Sequence, residues 1–162
     1  MEQQPQLVNT IPSGGGGDYE LAPAGVSLFG LVLIKNCEVT KKDPNGKEPD
    51  QKVPGFRLCF RSYDNPKAWL NVQVKASANE KSKMFLVLRA MSGKKIKKGV
   101  SPEVLFTEMI GMRGNWYEIN VAHNKVGERT YANLVDDEIE EHEGPEGQPD
   151  SVDYFMELDS KA

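Results

Sequence analysis

Little in these 162 residues can do covalent chemistry. There are two cysteines, Cys37 and Cys59, and two histidines, His123 and His142. Their spacing matches no zinc site, where three or four such ligands must converge on one ion. No Ser, His and acid arrangement, nucleophile elbow or Walker loop is present. The run Gly14-Gly15-Gly16-Gly17 lacks the Lys-Ser/Thr pair and the strand-to-helix setting that cradle phosphate. The expectation is a protein that is not an enzyme, with no cofactor, no catalytic residue and no metal site. No apolar run approaches the roughly 20 residues needed to cross a bilayer. Met1-Glu2-Gln3-Gln4-Pro5 lacks the charged and apolar regions of a secretory leader. A cytoplasmic chain without membrane contact is expected, with both thiols reduced and buried in strands. The hydrophobic share, 38%, is low for a chain that folds throughout, so part of it is expected outside the core.

What is present is charge, and it is segregated. Residues 1–135 hold 19 of the 20 Lys and Arg but 13 of the 24 Asp and Glu, a net charge of +6. Residues 136–162 hold one Lys against 11 acids, a net charge of −10. A basic body attracts phosphates, and an acidic tail repels them.

Three segments follow from composition. Residues 1–17 are polar and glycine-rich, and read as a disordered arm. Residues 18–138 alternate strand and turn signals and read as the folded domain. Residues 139–162 read as an acidic, disordered tail, with Gly144, Pro145, Gly147 and Pro149 in it. Within the domain a long strand is expected over about 26–39, a loop rich in turn formers over 41–55, and strands over 56–63 and 68–75. Ser77 and Glu80 have capping-box spacing, with Met84, Leu88 and Met91 at helical spacing behind them. Ser101-Pro102 marks a second helix that stops at Gly111. Two further strands, 116–123 and 129–135, flank a glycine-bearing hairpin loop. The fold class expected is mainly β with a helical insert: a five-stranded OB-like barrel with its helices between strands 3 and 4.

In such a barrel strands 2 and 3 carry the ligand. Alternation places Phe56, Leu58, Phe60, Leu70, Val72 and Val74 on one face, the core. It places Arg57, Cys59, Arg61, Tyr63, Trp69, Asn71, Gln73 and Lys75 on the other. Arginines pair with phosphate or stack under bases, Tyr and Trp offer rings to bases, and amides reach base edges. Lys94, Lys95, Lys97 and Lys98 would extend the phosphate track. In the tail, Asp153, Tyr154, Phe155, Met156 and Leu158 read as a short motif for a protein partner, or as a competitor for the basic groove.

Several segments occur together in a recognisable order: Tyr19-Glu20-Leu21-Ala22-Pro23-Ala24-Gly25-Val26, Glu80-Lys81-Ser82-Lys83-Met84, Phe106 to Gly111, and the hairpin Asn120 to Asn133. Over about residues 18–138 the chain resembles bacteriophage-encoded single-stranded DNA-binding proteins of OB type. The resemblance implies a sequence-tolerant coat for single-stranded DNA in phage replication and recombination, working in the cytoplasm of an infected bacterium. Replication or recombination proteins would be recruited through the tail, and a homo-oligomer is compatible with this role. The alternative expectation is a non-catalytic protein-interaction or virion-assembly module on the same small barrel.

Overall fold

The computed structural model describes residues 20–161. The arm expected over 1–17 lies outside them. The elements, in chain order, are β1 (Glu20–Leu21), β2 (Gly25–Lys41), β3 (Gln51–Ser62), β4 (Ala68–Lys75), α1 (Lys83–Met91), α2 (Pro102–Gly111), β5 (Trp116–Val126), β6 (Arg129–His142) and α3 (Ser151–Ser160). The chain is mainly β, and α1 and α2 stand where the helical insert was expected. The strands form one sheet of six in the order β1-β4-β3-β2-β5-β6.

The sheet is open, which corrects the expectation of a closed five-stranded barrel. Among the described residues no ladder joins β4 to β6, although the two approach each other and α1 packs against both. Part of the reason is the extra strand. Glu20 and Leu21 pair in parallel with Ala68 and Trp69, and so occupy hydrogen-bonding positions on the free edge of β4.

A β-bulge in β2 sets which residues face which side. Leu31 pairs with Phe60, and Leu33 pairs with Cys59, so Val32 is the extra residue. A one-residue insertion reverses the alternation beyond it. Phe29 and Leu31 therefore share the inner core with Ile34, whereas Val32 and Leu33 belong to a separate apolar cluster on the outer face. The inner core joins these to Leu58, Phe60, Leu70, Val72, Tyr117, Ile119 and Ile139, and is covered by Phe85, Leu88 and Met91 of α1 and Leu105 and Met109 of α2. The molecule is thus layered: α1 and α2 on the inner face of a curled sheet, and α3 on the outer face.

Local signals account for the helix ends. Ser101 Oγ accepts from Val104 N at 3.2 Å and Pro102 opens α2, as its sequence requires. For α1 the cap is Ser82, not Ser77: Ser82 Oγ accepts from Phe85 N at 3.1 Å, while Ser77 Oγ closes a turn on Asn79 N.

The tail is the larger correction. Residues 139–142 belong to β6, where Ile139, 2% exposed, pairs with Ile119 after the strand kinks at Asp136 (φ 47°). Residues 151–160 form α3, capped by Asp150 Oδ1 on Asp153 N at 3.0 Å. An acidic segment folds here because it carries apolar anchors with somewhere to go. Ile139 completes the inner core, and Phe155, 2% exposed, completes the outer cluster.

Candidate nucleic-acid interface

Strand pairing brings the expected face together. Across β3 and β4, Arg61 stands opposite Trp69, Cys59 opposite Asn71 and Arg57 opposite Gln73. Lys35 of β2 stands opposite Arg57 on the other side. The face is divided in two by α3, and its halves differ in what they can do.

One half is open. Gln73 and Lys75 are exposed, and Lys35, Arg57 and Asn71 are half-buried. With its amide oxygen turned to Arg57, Gln73 accepts from Arg57 Nη2 at 2.6 Å and Nε at 3.1 Å. Two donors on one acceptor fix the guanidinium beside Gln73, leaving its remaining N–H groups to meet an anion or a base. Lys35 and Cys37 belong to this half by their register, and the sequence reading missed both, since the bulge at Val32 reverses the alternation of β2.

The other half lies under α3. Trp69 is 9% exposed, not an outward ring, because α3 covers it. Arg61 is fully engaged. Its Nε donates to Pro66 O at 2.6 Å, and Nη1 and Nη2 donate to the two carboxylate oxygens of Asp159 at 2.8 and 2.7 Å. Its guanidinium lies 5.4 Å from the Trp69 ring centre and 4.7 Å from that of Phe155. Those hydrogen bonds hold the Asp159 carboxyl below its ordinary pKa. Tyr63 contacts Trp116 and Tyr154 with ring centres 5.7 and 5.5 Å apart. Two residue sets expected to serve different ligands, Arg61, Tyr63 and Trp69 against Tyr154, Phe155 and Leu158, are therefore packed on each other. Of the proposed partner motif, Phe155 is buried, Tyr154 and Leu158 are half-buried, and Asp153 and Met156 remain exposed.

The helix is seated by backbone as well as side chains. Ser151, fully buried, donates its backbone N–H to Gly114 O at 2.8 Å. Gly30 is required beneath it, because a Cβ there would collide with Ser151 and Phe155. The preceding linker is held by Trp116, whose Nε1 donates to Gln148 O at 2.8 Å. A signal for α3 exists in the sequence: Asp150 as cap, followed by Val152, Phe155 and Leu158 at three-residue spacing.

The β5–β6 hairpin adds residues that the sequence reading did not single out. Strand alternation puts Asn124 and Val126 on the same face as Trp116, the outer one. Opposite them stand Tyr131 and Arg129, and Asn133 Nδ2 donates to Asn124 Oδ1 at 2.8 Å. Tyr131 is 44% and Val126 67% exposed.

The lysine cluster is elsewhere. Lys94, Lys95, Lys97 and Lys98 flank Ile96, which is buried in the inner core, so they lie on the helical side of the sheet and do not extend the outer face. His123 is structural, donating from Nε2 to Ala22 O at 2.7 Å. Cys37 and Cys59 are free thiols, and burial pushes Cys59 up to about 12. Among the described residues, no group of His, Cys, Asp and Glu has the arrangement to hold a metal ion, and no helix is long and apolar enough to cross a membrane. The sequence matches no protein-family model and no curated protein.

Proposed function

We propose that the chain is a sequence-tolerant single-stranded DNA-binding protein of phage replication and recombination, with no catalysis of its own, built on a partly open OB-type barrel. The observation that carries this reading is the polar and basic row of Lys35, Arg57, Gln73 and Lys75 on the outer face of β2, β3 and β4. That is the ligand-bearing face of an OB fold. The strand order supports the barrel type, since the first long strand is flanked by the second on one side and the fourth on the other. The hairpin adds Arg129 and Tyr131 at the other end of β2, beyond Gly25 and across the half that α3 covers, a cation beside a ring that can stack on any base.

In this reading the open half and the hairpin take the strand first. Trp69, Arg61 and Tyr63 become available when α3 lifts away, which also releases Tyr154, Phe155 and Leu158 for a partner protein. Competition between α3 and DNA for Arg61 follows directly, because Asp159 sits where a phosphate would.

The test is a titration of labelled oligo-dT of about 30 nucleotides, beside a duplex of equal length, at low and moderate salt. Tight binding to the single strand, falling with salt at a log–log slope of about −0.7 per phosphate contacted, is expected. Arg57→Ala should weaken it by about 10-fold or more, as loss of a charged hydrogen-bond donor does. Binding to neither DNA at low salt, with α3 present or removed, would rule the reading out.

A second reading has its own support. The Arg61, Trp69 and Phe155 stack with a bidentate Asp159 has the composition of a protein-interface anchor. Under this reading the outer face binds acidic, aromatic helices and no nucleic acid, and the molecule is an interaction or assembly module. An α3 peptide in trans would then bind a chain truncated at residue 150, and oligo-dT would not compete.

A further inference from the structure

The connection between α1 and α2 is the densest run of positive charge in the chain, and the outer face does not use it. It is also not a loose loop. Ser92 Oγ accepts from Lys95 N and Ile96 N, each at 3.2 Å, and Lys94 N donates to Arg89 O at 2.8 Å. Ile96 is 5% exposed and fixes the middle of the run to the inner core. Gly93 and Lys94 both hold φ 68°. For lysine that left-handed conformation costs roughly 1 kcal/mol, and such strain persists where surrounding structure enforces it. Lys94, Lys95, Lys97 and Lys98 are thereby displayed at set positions, all exposed. Glu80 is the carboxylate paired with them among the described residues, 3.8 Å from Lys98 Nζ, with both side chains well exposed. An exposed pair of that kind binds weakly and yields to a stronger anion.

Position decides what this patch can do. Ile96 packs in the inner core, while the proposed DNA track runs over the outer face, so the sheet stands between them. A strand lying along the outer face does not meet these lysines. We propose that the α1–α2 connection is a second, independent polyanion site that takes the sugar-phosphate backbone of another nucleic-acid strand, so that one molecule holds two strands at once. The proposal rests on the single-strand reading for the first strand. Four ammonium groups with no aromatic residue among them contact phosphates and read no base, so the second strand is bound without regard to sequence. Holding two strands on opposite faces gives the molecule a bridging activity, as strand pairing requires.

The experiment tethers oligo-dT of about 30 nucleotides to a surface, loads it with the full chain, and adds a labelled oligo-dT of the same length in solution. The wild type is expected to capture the labelled strand. A quadruple variant, Lys94→Gln, Lys95→Gln, Lys97→Gln and Lys98→Gln, is expected to load the tethered strand within about 3-fold of wild type. It should lose about 10-fold or more of the capture, the scale of losing several phosphate contacts. All four side chains are exposed, and circular dichroism checks that the variant is folded. No capture by the loaded wild type would overturn the proposal. So would equal capture by the variant, which would place bridging in contacts between copies of the chain, such as an acidic β6 segment on the lysines. Parallel loss of tethered-strand loading would also overturn it, by placing the lysines on the primary track. Failure of the wild type to load the tethered strand at all would instead overturn the single-strand reading, and this proposal with it.

Discussion

At the scale of the residue, Phe155 and Asp159 carry the coupling between the tail and the face. Phe155 is 2% exposed among Trp116, Trp69, Val32 and Leu33, so truncating it leaves a cavity in a small apolar cluster. Phe155→Ala should cost about 3–5 kcal/mol of α3 docking, the range for a buried aromatic. Cys59 lies in the same cluster, and its burial holds the thiol up to about 12. The expected outcome is that Cys59, unreactive to a thiol reagent in the wild type, becomes modified in Phe155→Ala. Unchanged protection would show that α3 does not shield it. Asp159 gives a different readout, through pH. Its hydrogen bonds to Arg61 lower its pKa in the docked state, so their contribution is present above the ordinary carboxylate range and is lost as pH falls through the lowered value. Docking of α3, followed by Cys59 modification with a reagent active in acid, should therefore loosen below about pH 4. Asp159→Asn should be looser at neutral pH and lose this dependence. Tyr131 is the third test. It is exposed on the outer side of the hairpin and touches no core, so Tyr131→Ala should leave the melting temperature unchanged. Affinity for oligo-dT should fall by about 5- to 150-fold, the loss of one stacked base.

At the scale of the element, some local chemistry was legible and some was not. The capping box fell on Ser77 where Ser82 caps α1, and the Asp150 cap of α3 was passed over. Ser101-Pro102 marked α2, and glycine after the strand marked the hairpin, because caps and turns depend on neighbours a few residues away. The face of β3 and β4 was legible too, since two regular strands alternate without interruption. What else failed depended on partners far along the chain. The run Leu31-Val32-Leu33-Ile34 gives no sign of which residue bulges, and so Lys35 and Cys37 could not be assigned to the outer face. The segment after Val135 read as tail because acids outnumber everything else there. One isoleucine paired with Ile119, and one phenylalanine set over Gly30, outweigh that composition because each finds a prepared cavity. The lysine run was legible as a basic loop, but its rigidity was not, because Ser92 and Ile96 act on it through hydrogen bonds and burial.

At the scale of the whole molecule, charge segregation takes on a spatial meaning. The net −10 of residues 136–162 is not a remote tail but is folded onto the body through β6 and α3. Asp159 of α3 pairs with Arg61, so part of the positive charge of the outer face is neutralised while α3 is docked. The sequence by itself determined the strand-rich class, the place of α1 and α2, and the opposed charges of its two parts. These depend on residue identity and on spacing along the chain. Only the tertiary structure decided that the sheet stays open with β1 on its edge, that Trp69 and Arg61 lie beneath α3, and that the lysine run faces away from the outer surface. Each of these depends on which surfaces meet, and that is set by one bulge in β2 and by the docking of residues about a hundred positions apart, such as Arg61 and Asp159.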